Sequence, residues 1–186
     1  MGLGRLFVSC SLLLTLLTSQ ALASNLLVRT DTRLPPSHSS DTDQLPPITK
    51  VRVQKSERSL QLLSGEQVIQ YRISLGDTPQ GHKLYEGDSR TPEGEYSLDW
   101  RNAGSSFYKS IHISYPSAKD REMAENWGLD PGGNIMIHGL PNGTDDDFAF
   151  AFAGLDWTDG CIAVNNQEID EIWQLVSDGT PIEILP

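Results

Sequence analysis

The chain has 186 residues, with 25 acidic and 14 basic side chains and a formal net charge of −11 at pH 7. This length favours a single folded domain. The acidic balance excludes nucleic-acid binding through the phosphates, which requires a basic patch, and otherwise indicates a soluble protein.

Residues 1–23 have the three parts of a secretory signal peptide. Arg5 supplies the positive charge, Leu6 to Leu17 form an apolar run, and Ala21-Leu22-Ala23 is a small-x-small cleavage site. The alternative is a membrane anchor, but a run of about a dozen residues is shorter than the roughly 20 that a spanning helix needs. We therefore predict an exported, periplasmic protein with no transmembrane segment after cleavage.

Residues 24–49 are predicted to be a disordered linker, because prolines alternate there with Ser, Thr and Asp and apolar periodicity is missing. The folded domain is predicted over residues 50–186. Its apolar residues first alternate with polar ones, which predicts short strands separated by turns. The alternating positions are Val51 and Val53, Leu60 and Leu62, Val68 to Ile73, Tyr96 to Trp100, and Ile111 and Ile113. A further apolar strand, Asn134 to His138, ends at a histidine.

Two helices are predicted among these strands. A short one spans Lys119 to Trp127 and stops at Gly128. The clearer one has apolar residues at i, i+3, i+4 and i+7, which is one face of a 3.6-residue period. These apolar residues are Ile169, Ile172, Trp173 and Val176. Asn165 is the predicted N-cap, with Glu168 completing a capping box, and Gly179 is the predicted C-terminal end of the helix. Ile182 and Ile184 then alternate into a last strand. The predicted fold class is mostly β, of the α+β type, with one or two helices.

Cys161 is the candidate catalytic residue of this domain. The only other cysteine, Cys10, lies in the predicted signal peptide, so the mature protein keeps one unpaired thiol. Exported proteins normally pair their cysteines, and an unpaired thiol therefore indicates a special role. We predict nucleophilic catalysis, with His138 at the end of its strand as the base. The alternative is a small buried hydrophobic residue.

The residues around Cys161 favour the catalytic interpretation. Gly160 allows a tight turn and leaves backbone N–H groups unobstructed for a developing oxyanion. Gly139 lets main chain approach His138 closely. Metal binding is not predicted, because one cysteine and one histidine without spaced partners cannot build a closed site. Asp145 to Asp147 lie between His138 and Cys161, and we predict that their loop is a lid over the cleft.

The pattern Ile137-His138-Gly139, followed by a loop and Thr158-Asp159-Gly160-Cys161-Ile162, resembles the L,D-transpeptidase catalytic (YkuD-type) domain. The resemblance covers about residues 50 to 186. Gly87-Asp88 and Thr91-Pro92-Glu93-Gly94 also resemble segments of one bacterial subgroup.

The resemblance implies a β-sandwich-like fold with the cysteine in a cleft, and work on peptidoglycan stem peptides. Cys161 would attack the carbonyl next to the terminal D-alanine, D-alanine would leave, and an amine would resolve the acyl-enzyme. The acceptor would be another stem peptide or an outer-membrane lipoprotein. His138 would be the base, the Gly139 carbonyl would orient it, and the N–H groups of Gly160 and Cys161 would bind the oxyanion. No metal or organic cofactor is implied.

The sequence departs from the family pattern beside the cysteine. The family commonly has Ser-His-Gly-Cys, a hydrophobic residue and then arginine. Here Thr158 keeps a hydroxyl, Asp159 replaces the histidine, and Ala163 stands at the arginine position. We predict Thr158, Asp159 and Arg90 as substrate-binding residues, with Arg90 or Lys83 substituting for the arginine.

Three functions stay open at this point. Transpeptidation is the leading one. An L,D-carboxypeptidase, or a hydrolase that releases wall-linked lipoprotein, would use the same residues with water as the acceptor. A non-catalytic wall-binding module would not need a thiol.

Overall fold

The computed structural model describes residues 46–144, 151–152 and 154–186. The predicted signal peptide, the linker up to residue 45 and the acidic residues of the predicted lid lie outside these ranges. The last part of the predicted linker contacts the sheet: Ile48 is buried, and the Thr49 N–H donates to the Leu63 carbonyl at 2.8 Å.

The described residues form eight β-strands and two α-helices, which is the predicted mostly-β class. The strands are β1 (Lys50–Gln54), β2 (Ser59–Ser64), β3 (Gln67–Arg72), β4 (Gly94–Ser105), β5 (Tyr108–Ile113), β6 (Met136–His138), β7 (Ile162–Ala163) and β8 (Thr180–Leu185). The helices are α1 (Ala118–Asn126) and α2 (Asn166–Leu175).

All eight strands belong to one sheet in the order β3-β2-β1-β8-β4-β5-β6-β7. Strand β8, at the end of the chain, lies between β1, with which it is parallel, and β4, with which it is antiparallel. The first and last thirds of the domain are therefore joined in the middle of the sheet.

The two edges of this sheet also meet. Strand β3 is one edge and β7 is the other, yet Ser74, just after β3, pairs with Ala163 of β7. The two residues exchange backbone hydrogen bonds of 2.9 Å in both directions. The sheet is thus curled onto itself, and its two halves face each other as in the expected sandwich-like fold.

The predicted alternation places the core inside this curled sheet. Val51 and Val53 of β1, and Leu60 and Leu62 of β2, are fully buried, while Arg52 between the valines and Gln61 between the leucines are partly exposed. Helix α2 packs on the same core through Ile169 and Ile172, both fully buried. Apolar area removed from water at these positions supplies the main stabilising free energy of the domain.

The capping box predicted for α2 is present, and α1, predicted from Lys119, begins at Ala118 with a capping box that was not predicted. Ser117 and Asp120 form the box of α1, and Asn165 and Glu168 form that of α2. Gly179 as the stop of α2 is wrong: the helix ends at Leu175, and Val176 is already extended with ψ 132°. Gly179, with φ +86°, instead makes the turn into β8.

Among the residues that the structure describes, neither helix is long and apolar enough to cross a membrane.

Candidate active site

Two neighbouring short strands bring the histidine and the cysteine together. His138 is the last residue of β6, and Cys161 directly precedes β7. The two strands run parallel, with Ile137 paired to Ile162 and His138 paired to Ala163. Cys161 therefore lies one position before this pairing, beside Met136.

A backbone carbonyl holds the imidazole of His138. Its Nδ1 lies 2.6 Å from the Gly139 carbonyl oxygen. Because a carbonyl oxygen only accepts, Nδ1 carries the proton in the neutral ring and donates it there. The lone pair is then on Nε2, which is the atom that can accept a proton from another group.

Aromatic rings enclose this imidazole. Its ring centre lies 4.6 Å from that of Phe107 and 5.7 Å from that of Trp157, and only 3% of His138 is exposed. This burial lowers the pKa of His138 below its ordinary value, while the bond to the Gly139 carbonyl acts in the opposite direction. The histidine is therefore held as a neutral base at neutral pH. Sequence reasoning missed Phe107 and Trp157, because nothing in their spacing links them to His138.

The thiol of Cys161 donates to the Asn134 carbonyl at 3.6 Å, and no hydrogen bond joins it to His138. Burial raises the pKa of the Cys161 thiol, and the Asp159 carboxylate raises it further. The Met136 N–H and the Lys83 ammonium act in the opposite direction. Both shifts favour a neutral thiol and a neutral imidazole in the resting pair.

Thr158 braces the turn before Cys161. Its hydroxyl donates to the Cys161 carbonyl at 2.7 Å and accepts from the Gly160 N–H at 3.2 Å. The side chain is buried, so its described contacts are with the turn itself. Asp159, the neighbouring candidate, is exposed.

The other side of this turn packs on the loop after β3. A β-carbon at Gly160, which has φ +124°, would lie 2.5 Å from the Arg90 carbonyl oxygen. A β-carbon at Gly76 would lie 2.1 Å from the Ser89 carbonyl oxygen and 3.0 Å from Gly160 Cα. Three backbone segments therefore meet at these two glycines, which places Arg90 beside the cysteine turn.

Lys83 was predicted as an alternative to Arg90 for the role of the family arginine. It is buried, and its ammonium donates to Asp88 at 2.9 Å and to the Tyr85 carbonyl at 3.1 Å. Because the Lys83 ammonium already donates to these protein groups, it is not positioned to bind a substrate carboxylate in place of the family arginine. Its described role is to hold the loop and to favour the Cys161 thiolate by its charge.

Within the described ranges, no group of three or more His, Cys, Asp or Glu side chains is placed to hold a metal ion.

Comparison with known proteins gives a consistent result. Residues 48–184 match the YkuD family of L,D-transpeptidase catalytic domains. A presumed L,D-transpeptidase, YafK of Escherichia coli (strain K12), is 35% identical over 135 residues, which are 68% of this chain and 46% of YafK. The crystal structure of the helical cell shape determining protein Pgp2 from Campylobacter jejuni superimposes with a TM-score of 0.55 at 28% identity. That match covers 73% of this chain and 46% of Pgp2.

The chain thus spans about half the length of the relatives it matches. The family match covers most of the chain and includes both His138 and Cys161. This chain belongs to the L,D-transpeptidase catalytic domain (YkuD) family.

Proposed function

We propose that this protein is an exported, periplasmic cysteine transpeptidase that acts on peptidoglycan stem peptides. Cys161 is the nucleophile and His138 the base. The single observation that carries this proposal is the enclosed imidazole beside Cys161, whose Nδ1–H bond to the Gly139 carbonyl leaves Nε2 able to accept a proton. A wall-binding module would have no use for this arrangement.

The proposed reaction begins when the thiol leaves the Asn134 carbonyl and turns to His138. Nε2 of His138 takes the thiol proton as Sγ attacks the carbonyl carbon next to the terminal D-alanine. The C–N bond then breaks, His138 returns the proton to the departing amine, and D-alanine leaves a thioester on Cys161. An amine of a second stem peptide attacks the thioester carbonyl, and His138 takes its proton. The C–S bond then breaks and His138 passes that proton to Sγ, which releases the new amide and restores the thiol.

A backbone N–H is proposed to bind the oxyanion of the tetrahedral intermediate. Of the two candidates, the Gly160 N–H donates to the Thr158 hydroxyl at 3.2 Å. The Cys161 N–H is therefore the donor that we propose. Binding at this N–H would keep the oxyanion beside the turn that Thr158 holds in place.

The direct test is mass spectrometry of muropeptides after tetrapeptide-bearing peptidoglycan fragments are incubated with the protein. We expect cross-linked dimers with loss of D-alanine, and neither product with Cys161→Ala. Tripeptides without dimers would instead identify an L,D-carboxypeptidase.

Sacculi that carry linked outer-membrane lipoprotein form the second substrate of the test. Release of the lipoprotein by this protein, and not by Cys161→Ala, would identify a hydrolase of that link. If Cys161→Ala and the unaltered protein give the same products on both substrates, the catalytic proposal is wrong and the wall-binding module is the better description.

A further inference from the structure

A β-bulge places a tryptophan on an open face of the sheet. The register of β4 against β5 shifts between Leu98 and Arg101. Two residues of β4, Asp99 and Trp100, therefore lie opposite one residue of β5, His112. An extra residue of this kind redirects the side chains of its strand. Trp100 is turned away from the core that Leu98 enters, and it is 42% exposed.

The indole of Trp100 is held flat against the imidazole of His112. The two ring centres lie 4.8 Å apart, with 16° between the ring planes. Only 14% of the His112 side chain is exposed, so the imidazole is the covered ring and the indole presents its outer face to solvent. Nδ1 of His112 in turn donates to the Asp99 carboxylate at 2.6 Å, because a carboxylate only accepts. We call Asp99, Trp100 and His112 the tryptophan platform.

The tryptophan platform and the candidate nucleophile lie in one row across the sheet. His112 of β5 pairs with Met136 of β6, and Cys161 lies beside Met136. Residues paired across strands project their side chains to the same face, while Ile137, which alternates with them, is buried in the core. Three steps from β4 to β7, at about 4.8 Å each, put Trp100 roughly 14 Å from Cys161.

An exposed indole face with a hydrogen-bond acceptor at its edge matches a sugar ring. The face of an aromatic ring is negative, and the axial C–H groups on one side of a pyranose are weakly positive, so the two surfaces attract each other. The Asp99 side chain is exposed and keeps free lone pairs after it binds His112. Its carboxylate can therefore accept from a sugar hydroxyl or from the N–H of an N-acetyl group.

We propose that the tryptophan platform binds an N-acetylated sugar of the glycan strand that carries the stem peptides. This inference rests on the proposed function and adds to it a carbohydrate site outside the catalytic pair. The residue attacked in a tetrapeptide is the third from the sugar, and three extended residues span at most about 11 Å. With the width of a sugar ring added, the glycan strand reaches the platform while the stem peptide reaches Cys161.

The charge of the tryptophan platform disfavours the stem peptide itself as its occupant. The carboxylates of a stem peptide would be repelled by Asp99. The amine of an acceptor peptide attacks at Cys161, so it is not the group that lies roughly 14 Å away on Trp100. An N-acetylated sugar is uncharged and offers hydroxyl and N–H donors, which suits a carboxylate beside an aromatic face.

A β-linked tetramer of N-acetylglucosamine, which carries no peptide, tests the tryptophan platform directly. An NMR titration of the unaltered protein follows its tryptophan indole N–H signals, and the signal lost in Trp100→Phe identifies Trp100. We expect the Trp100 signal to shift with the tetramer and the signal of Trp127, which is also exposed, to stay in place. Calorimetry with Trp100→Ala should show affinity about 10-fold lower, the range for loss of one stacked ring.

Two further variants complete the test. Trp127→Ala removes an exposed tryptophan next to α1 and should bind the tetramer as the unaltered protein does. Asp99→Asn keeps an oxygen acceptor but loses the charge, and we expect it to weaken binding a few-fold. Thermal unfolding of each variant verifies that it is folded.

The inference would be overturned by a Trp100 signal that does not respond to the tetramer, or by equal affinities of Trp100→Ala and the unaltered protein. A Trp100 signal that responds to the free tetrapeptide and not to the tetramer would make the platform a peptide site instead. Sugar binding does not need the thiol, so Cys161→Ala should bind the tetramer normally. Tetramer binding at Trp100 without any turnover would therefore remove the proposed transpeptidation and retain the carbohydrate site.

Discussion

At the scale of single residues, the enclosure of His138 determines how the proposed site responds to pH. Burial against Phe107 lowers the pKa of the imidazole, so the neutral base persists to lower pH than in an ordinary histidine. We expect kcat/KM to fall only as the pH drops through this lowered pKa. Phe107→Ala should raise the pKa of His138 and move the acid limb to higher pH, whereas Phe107→Leu should keep it low. An acid limb in the same place for all three proteins would contradict this account.

Asp159 is expected to lower the reactivity of the Cys161 thiol. Its carboxylate raises the pKa of Cys161, so Asp159→Asn should lower that pKa and increase the thiolate fraction. The rate of iodoacetamide alkylation at pH 8 should therefore rise a few-fold. Glu66→Gln removes the same charge from an exposed turn remote from Cys161 in the sequence and serves as the control. Equal rates in Asp159→Asn and the unaltered protein would show that the carboxylate has no influence.

At the scale of elements, the backbone at Gly76 packs so closely against the Gly160 turn and the Ser89 carbonyl that no side chain fits there. The β-carbon of Gly76→Ala would meet the Ser89 carbonyl at 2.1 Å, a backbone atom that cannot move alone. We expect this variant to lose several kcal/mol of stability or to separate the loop from the cysteine turn, with loss of activity. Gly104→Ala, where the nearest of these atoms lies 3.6 Å away, is the control and should unfold at nearly the original urea concentration. Similar midpoints for both variants would refute the packing argument.

Buried Lys55 holds the same loop from its other end. Its ammonium donates to the Gly81 carbonyl at 2.6 Å, to the Thr91 carbonyl at 2.9 Å and to Glu93 at 2.8 Å. Lys55→Met should cost about 3–5 kcal/mol in urea unfolding, because it leaves these partners unsatisfied. Lys50→Met, which removes a partly exposed ion pair with Glu183, should cost at most about 1 kcal/mol. A cost for Lys55→Met as small as that of Lys50→Met would be inconsistent with a structural role.

At the scale of the whole molecule, periodic segments were the predictable part of the fold. Alternation in β1 and β2 and the 3.6-residue period of α2 determine which side chains are buried, so the sequence alone indicates them. Strand β7 has only Ile162 and Ala163, too few for any period, and it exists because its neighbours pair with it. Trp100 alternates with buried Leu98 yet is 42% exposed, because the register of β4 shifts between Leu98 and Arg101.

The candidate site was predictable where adjacent residues carry it and unpredictable where distant ones do. His138-Gly139 and Gly160-Cys161 are short motifs, and their chemistry follows from residue type. Phe107 reaches His138 through the pairing of β5 with β6, where its carbonyl accepts the Gly139 N–H at 3.1 Å, and that pairing joins residues about thirty positions apart. Burial of Lys83 likewise depends on Asp88, and a lysine next to an acidic residue in sequence is ordinarily a surface residue.

Closure of the sheet makes the reactivity of the Cys161 thiol a measure of folding, because the sulfur is buried only when the two sheet edges have paired. Ser74 belongs to the first part of the domain and Ala163 to the last, and their paired hydrogen bonds lie two residues from Cys161. A chain with only one part of the domain folded would lack this pairing and would leave the sulfur open to solvent. Pulse labelling of Cys161 during refolding therefore measures when the two edges of the sheet join.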